Sequence, residues 1–295
     1  MVTLSSVENL KNRTAVIVVH WGDPACTQAA VRSIQRGVPL TSQHIVVVEN
    51  GVPSHVSLTE ARILSLRENR GYAAGVNAGV QEAIRTGAEY FVVMNNDLLY
   101  RPGALEAMLA HVRSHRQRMG CVGAIIDEGD RRPVYGGGRV SWSRGRAHLA
   151  FSPVAANVLE YISGAFFLIT RACVEDAGGM PEHYFLYWED VAYGWIIRRK
   201  GWVLSAARTP ILLHPRSQGV RDARLKTYYL VRNGALFVRE YAPPAARRWL
   251  TSLEPAREAW ARRRGRWEIV RALRDARAGV TGALLSGVDL RLPPP

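Results

Sequence analysis

Residues 91–97, FVVMNND, run four apolar side chains straight into two amides and an acid. A buried strand that ends this way carries oxygen donors to the edge of a sheet. Asp97 in that position suits Mg²⁺ or Mn²⁺, which take hard oxygen ligands. Such a metal bridges a diphosphate and neutralises the charge that develops as it leaves. The plainer reading is a helix cap, a role Asp favours. Pro102 fits a first helical turn, however, which moves the cap to about Tyr100-Arg101.

A second acidic pair, Glu189-Asp190, lies in HYFLYWEDVAYGWIIRRKGW (183–202). These acids suit the first turn of a helix. Tyr184, Phe185, Tyr187, Trp188 and Trp195 crowd them, and apolar surroundings raise a carboxylate toward the range useful for a general base. Glu49-Asn50 precedes Gly51, a strong turn signal; an acid there can also accept hydrogen bonds from a nucleoside. RENRGYAAGVNAGV (67–80) spaces Gly71, Gly75 and Gly79 four apart. A glycine-rich turn before a helix presents backbone N–H groups to phosphate. It is not G-x-G-x-x-G and follows a third strand, which disfavours a dinucleotide site. Gly75 and Gly79 also read as close helix packing, whereas Asn69, Arg70 and Asn77 do not. His214 either completes a metal shell or is a satisfied core or loop histidine. His111 and His115 have metal-pair spacing, but HVRSH lacks the acid of H-E-x-x-H and reads as an exposed basic face.

The elements that must hold these groups alternate. TAVIVVH (14–20), HIVVVENG (44–51), ARILSL (61–66), YFVVM (90–94) and CVGAII (121–126) read as strands. Ala25–Arg36, Ala73–Arg85 and Pro102–Arg116 read as helices, the first capped by Asp23-Pro24. Continuous apolar strands between helices predict a mostly parallel sheet covered on both faces. Ligands in such sheets bind outside the carboxyl ends of the strands. His20-Trp21, Glu49-Asn50 and Asn95-Asn96-Asp97 all fall there. Further on, PVYGGGRVSW (133–142) reads as a hairpin or loop, and Leu159–Thr170 as an apolar run broken by Ser163-Gly164. Tyr187–Lys200 and Leu225–Tyr241 read as helices, and ILLH (211–214) as a short strand.

A chain of 295 residues, 47% hydrophobic and 22% charged, is globular rather than disordered. Three scattered cysteines without a C-x-x-C argue against a disulfide framework. Neither a signal-peptide core nor a membrane-spanning apolar run is apparent, so a cytoplasmic location is expected. The net charge of +14 favours anionic partners. After Ala245, arginines interleave with Trp249, Trp260 and Trp267, as in basic helices that lie in an anionic membrane interface. That reading adds peripheral contact with the inner face of the cell membrane.

The ordered set VIVVHWGD, VVVENG, ENRGYAAGVNAG, VVMNNDLLYRPGAL, YISGAFFLITRACVEDAGGMPEHYFLYWEDV and YYLVRNGALF resembles the inverting family 2 glycosyltransferases, closest to a rhamnosyltransferase-like branch. The likeness runs from about Thr14 to Tyr241. It implies an α/β GT-A fold over residues 1–242, a Rossmann-like, mostly parallel sheet with helices on both faces, followed by an Arg-rich helical extension over 243–295. It implies a nucleoside-diphosphate sugar donor, with dTDP-rhamnose the one suggested, and a glycan or lipid-linked acceptor. In this resemblance the acidic pair matches Glu189-Asp190, with Asp190 the catalytic base; Glu189 and the neighbouring Trp188 are expected on the acceptor side. His20, Trp21, Glu49, Asn50, Asn69, Arg70, Gly71, Asn77, Asn95, Asn96 and Asp97 form the donor side. Asp97 is the implied ligand of Mg²⁺ or Mn²⁺, and His214, from its place after a strand, is the further metal candidate beside its reading as a core or loop histidine. The family often continues E-D-V-D-L-C-x-R, whereas this chain has Val191-Ala192-Tyr193-Gly194-Trp195-Ile196 after the acids; the second acid and the arginine are absent, and Arg198 or Arg199 stands as a replacement charge.

Two other classes fit parts of this pattern. A nucleotidyltransferase would use a similar sheet edge and metal but release pyrophosphate. A non-catalytic basic protein would bind nucleic acid or membrane with steep salt dependence. The glycosyltransferase reading expects no specific nucleic-acid partner.

Overall fold

The computed structural model describes residues 11–38, 40–114, 118–127, 133–152, 158–213 and 222–294. The first strand, β1 (Thr14–His20), is buried along its whole length. Helix α1 (Pro24–Gly37) follows, its first turn capped by Asp23, whose carboxylate accepts from the Ala25 amide at 2.9 Å. Then come β2 (Ile45–Asn50), β3 (Arg62–Leu66), α2 (Tyr72–Arg85) and β4 (Tyr90–Asn95). The next elements are β5 (Leu99–Tyr100), α3 (Ala104–Ser114) and β6 (Met119–Asp127). A run of short strands follows: β7 (Val134–Tyr135), β8 (Gly137–Ser141), β9 (Arg146–Leu149), β10 (Tyr161–Ile162) and β11 (Phe166–Thr170). The chain continues through α4 (Arg171–Ala177), α5 (Glu189–Arg199), β12 (Val203–Leu213) and α6 (Ala223–Tyr241). It ends with α7 (Pro244–Ser252), α8 (Glu254–Arg263) and α9 (Trp267–Arg277).

The main sheet runs β3-β2-β1-β4-β11-β6-β12-β5, with β7 paired to β6. The β3-β2-β1-β4 half is parallel, while β11 is antiparallel to both β4 and β6. Strand alternation sends Val16 and Val18 to one face, against Ala30, Val31 and Ile34 of α1 and Leu105 and Met108 of α3. Ile17 and Val19 go to the other face, against Val76 and Val80 of α2 and Ile197 of α5. Each such aliphatic side chain contributes about 1.5–3 kcal/mol on burial. This two-faced burial explains the continuous apolar strands. Gly75 and Gly79 serve it: a Cβ on Gly75 would lie 2.7 Å from Val19, and one on Gly79 would collide with Ile17.

Three expectations differ from the structure. Ile211–Leu213 of ILLH end an eleven-residue strand, β12, which pairs with β6 through register shifts; His214 lies outside the described residues. Its first half, VLSAA, lacks a strand pattern of its own and is set by its neighbour. The glycine-rich 133–142 stretch contributes β7 and β8; β8 joins β9 and β10 in a three-stranded sheet. A Cβ on Gly137 or Gly138 would run into the Tyr161 or His148 carbonyl, so only glycine permits that approach. His111 is half-buried and bonded to Ser205 Oγ at 2.8 Å, not on an open basic face; His115 lies outside the described residues.

The C-terminal helices are basic and pack on the rest of the chain. Ile269, Val270 and Leu273 of α9 share a cluster with Tyr228 and Tyr229 of α6, and Phe185, Leu186 and Tyr187 pack against it. Among the described residues no helix is long and apolar enough to cross a membrane.

Candidate active site

The parallel register brings three polar strand ends to one edge. His20 of β1 lies opposite Glu49 of β2, and Val19 lies opposite Asn95 of β4. The strands stop here because polar side chains replace the apolar run, and those side chains find partners just past the sheet. Glu49 accepts from the Ser54 amide at 2.7 Å and hydroxyl at 2.8 Å, and from the Ser65 hydroxyl at 2.6 Å. Burial pushes its carboxyl up, but the Ser65 and Ser54 hydrogen bonds outweigh this and hold it below the usual value. His20 is fully buried, with Nδ1 2.6 Å from Thr27 Oγ1 and Nε2 3.0 Å from the Pro53 carbonyl. Burial lowers its pKa, and both ring nitrogens are engaged within the protein.

The amides expected on the donor side interlock. Asn50 Nδ2 donates to Asn69 Oδ1 and to the Gly71 carbonyl, both at 3.0 Å, and Asn50 Oδ1 accepts from the Arg70 amide at 3.0 Å. Asn69 Oδ1 also accepts from the Gly71 amide at 2.9 Å. Asn77 binds Met180 through both its amide nitrogen and its oxygen at 2.8 Å. The Arg70 guanidinium reaches Glu182 at 3.3 Å. Gly71 (φ +89°) packs so closely that an added Cβ would stand 2.5 Å from the Phe185 carbonyl. The next residue, Tyr72, donates its amide to that carbonyl at 2.8 Å. Asn96 ties the β4 end to β1 by donating to the Trp21 carbonyl at 3.1 Å and to Thr27 at 2.9 Å. The Trp21 ring is left exposed.

Asp190 enters from a distant stretch of sequence. Its Oδ2 accepts from the Gly164 amide at 2.9 Å and its Oδ1 from the Val191 amide at 2.8 Å. Gly164 lies between β10 and β11, one residue before Ala165, whose carbonyl accepts from the Asn95 amide at 2.9 Å. The Tyr72 hydroxyl donates to the Gly164 carbonyl. Burial, then the charges of Glu189, Asp190 and Asp97, hold the Tyr72 phenol well above its ordinary pKa. Burial raises the pKa of both acids of the pair, and the charge of Asp190 raises Glu189 further. The Gly164 and Val191 amides partly counter the shift on Asp190. Asp190 is half-buried, whereas Glu189 is buried with Oε2 lacking a hydrogen bond. Asp190 is thus the more accessible acid of the two.

Trp188, expected on the acceptor side, is buried against α6. Its Nε1 donates to the Leu230 carbonyl at 3.0 Å, and its ring lies 5.1 Å from that of Phe237. Among the described residues no three His, Cys, Asp and Glu side chains gather as a metal cage, and His214 lies outside them. The oxygen set at the β4 end nonetheless suits a hard cation. Asn95 Oδ1 is buried without a hydrogen bond, two residues from the Asp97 carboxylate. Mg²⁺ commonly takes one or two protein carboxylates and completes its shell from substrate phosphates and water.

Gly164, Tyr72, Arg232 and Asn233 were not singled out from sequence. The break at Ser163-Gly164 in an apolar run was the available signal for the first. YYLVRNGALF contained the last two, but helical periodicity gives no hint that Arg232 and Asn233 face inward.

A family profile described as glycosyl transferase family 2 matches residues 14–178. Curated N-acetylglucosaminyl-diphospho-decaprenol L-rhamnosyltransferases from two strains of Mycobacterium tuberculosis are 26% identical over 180 residues. That match covers 52% of this chain and 58% of the relative, so it spans little more than half the length of either. Among solved structures, GalNAc-T7 with UDP, GalNAc and Mn²⁺ aligns with a TM-score of 0.58 at 13% identity, over 77% of this chain and 48% of that one. S. aureus TarS 1-349 in complex with UDP-GlcNAc aligns at 0.55 and 12% identity, over 91% of this chain and 81% of that one. These likenesses match the GT-A architecture of the sheet and its covering helices.

Proposed function

The chain belongs to glycosyl transferase family 2, and from that premise we propose an inverting transfer of a sugar from a nucleoside diphosphate to an acceptor hydroxyl. The observation that carries this reading is the placement of Asp190 at the carboxyl end of β4: its Oδ2 accepts from the Gly164 amide, and the next residue, Ala165, accepts from the Asn95 amide. Ligands of such sheets bind at that edge.

The donor lies across the ends of β1, β2 and β4, with Glu49 accepting hydrogen bonds from the nucleoside and the 69–77 segment beside the diphosphate. A divalent cation, Mg²⁺ or Mn²⁺, held by Asp97 and the Asn95 amide oxygen, would neutralise charge on the leaving diphosphate. Asp190 takes the proton from the acceptor hydroxyl. The freed oxygen forms a bond to the anomeric carbon as the bond to the diphosphate oxygen breaks on the opposite face. The nucleoside diphosphate departs with the electron pair, and configuration inverts in one displacement. The raised carboxyl pKa values of the pair favour this step, because a general base works best when its pKa approaches the operating pH.

The rhamnosyltransferase relatives suggest dTDP-rhamnose as donor and a diphospholipid-linked sugar as acceptor, in assembly of a cell-envelope glycan. The C-terminal helices suit a membrane-borne acceptor. Trp249, Leu253 and Trp260 are exposed, and Arg247, Arg248, Arg257, Arg263 and Arg264 form no ion pair among the described residues. Such a surface fits the interface of an anionic membrane.

A thermal-shift panel of UDP-, dTDP- and GDP-sugars, with and without Mn²⁺, tests the donor assignment without an acceptor. Binding to the folded state alone raises the melting temperature. The reading expects one nucleotide class to stabilise the protein, more strongly with Mn²⁺; no shift with any member would overturn it.

A further inference from the structure

Three bulky residues just before the acidic pair have left-handed backbones: Phe185 (φ 65°), Tyr187 (φ 64°) and Trp188 (φ 75°). Only one other described non-glycine residue, His55, shares that sign. Each such conformation costs about 1–3 kcal/mol and persists only where its surroundings over-determine it. Here they come from α6. Asn233 Nδ2 donates to the Tyr184, Leu186 and Tyr187 carbonyls at 2.8, 2.7 and 2.9 Å. Arg232 Nη2 donates to the same Tyr184 carbonyl at 3.1 Å, and its Nη1 to the Gly282 carbonyl at 2.8 Å. Its Nε donates to Asn233 Oδ1 at 2.9 Å, which fixes the amide with its nitrogen toward the segment. Gly282 in turn donates its amide to the His183 carbonyl at 2.7 Å.

Arg232 is completely buried and forms no ion pair among the described residues. Burying a cation without an anion is costly. Carbonyl dipoles and the Tyr228 and Tyr229 rings, 5.3 and 4.9 Å from its guanidinium carbon, offset part of that cost. Packing alone would be served better by an apolar side chain. What an apolar side chain cannot do is join two backbone segments with one rigid fork of donors.

We propose that Arg232 and Asn233 are positioning residues for the transfer reaction. They hold Tyr184–Trp188 in its left-handed path, so that α5 starts at Glu189 and the Asp190 carboxylate meets the Gly164 amide. Neither touches substrate; both act through Asp190, so the inference rests on the reading of that residue as the base. It also gives the C-terminal segment a part in the site, through the Gly282 carbonyl.

Asn233→Asp tests this, because it keeps the shape and removes the donors. The readouts are kcat, donor KM, the shift in melting temperature on adding nucleoside diphosphate with Mn²⁺, and hydrogen exchange by peptide. A small misplacement of a catalytic group costs about 10²-fold in rate. The expected result is a kcat loss of that order, donor KM within about threefold of wild type, and faster exchange confined to residues 183–192. Arg232→Lys keeps the charge, loses the fork, and gives the same pattern. Unchanged kcat, exchange that rises throughout the sheet, or nucleotide binding lost in step with turnover would each overturn the assignment. So would unfolding of both variants, which would make the pair a core element only. If wild type binds nucleotide sugar but transfers nothing, the base reading fails, while the exchange pattern still reports on the anchor.

Discussion

At the ends of β1, β2 and β4 the polar groups sit where strands stop, and they are bonded both locally and across strands, as Asn96 is to Trp21 and Thr27. Glu49 is bound by Ser54 and Ser65, five and sixteen residues away. The Tyr184–Asp190 segment is built differently: its carbonyls are held by side chains 46 to 49 residues further along. The strand-end region has ordinary strand geometry and a carboxylate, Glu49, whose hydrogen bonds hold its pKa below the usual value. The Tyr184–Asp190 segment has strained backbone and carboxyls whose pKa burial raises. Ordinary side-chain bonds suffice where the strand has already fixed direction. A strained path needs anchors from another element, because its own neighbours favour a different conformation.

This contrast is sharpest at Asp190. Asp190→Asn keeps the side-chain size, gives up one of its two backbone N–H acceptors and removes the base, so turnover falls by about 10³-fold while the nucleotide-induced thermal shift is preserved. Steady-state kinetics beside thermal melting check both halves. Asp97→Ala should act on the other side: the Mn²⁺-dependent part of the nucleotide shift disappears and turnover drops by about 10²-fold, as for loss of one electrostatic contact to a leaving group. Equal loss of nucleotide binding in both variants would erase the division into two sides.

The seam between the two regions is Gly71, where a methyl group would meet the Phe185 carbonyl and the backbone is left-handed. Gly71→Ala is expected to destabilise the fold by about 2 kcal/mol in denaturant titration. It also lowers turnover, because it separates the donor loop from the base segment. The smallest effect is in pH dependence. Folded-state carboxyl pKa values above the unfolded ones mean that the folded chain binds more protons. The contribution of this pair to stability is therefore greatest below the unfolded values of about 4, and is lost as pH rises through the raised folded values. Glu189→Gln should flatten that decline, measured as melting temperature against pH. In the wild type, the acid limb of kcat/KM should lie above the ordinary aspartate value of about 3.9.

Much of the polar strand edge was legible in sequence, because a run of apolar residues followed by an acid or amide needs no tertiary information. Asp23-Pro24 located the start of α1, and FVVM located β4 and the polar residues after it. The tryptophan beside the acidic pair donates its indole N–H to the Leu230 carbonyl of α6, a contact that helical spacing does not foretell. Asn50, Asn69 and Asn77 looked like ligand groups and also serve as struts of the 69–71 loop and the 180–182 turn. An amide bonded to backbone within the protein and one offered to a ligand are identical in sequence.

The sequence by itself determined a two-faced α/β sheet and the polar ends of its parallel strands, because strand burial and helix capping are local properties of a few consecutive residues. Only the tertiary structure decided that Gly164 would receive Asp190 beside the β4 end, and that Arg232, Asn233 and Gly282 would hold the path leading to it. Those contacts join segments whose separation along the chain leaves no periodic trace, and their geometry exists only once the helices have packed.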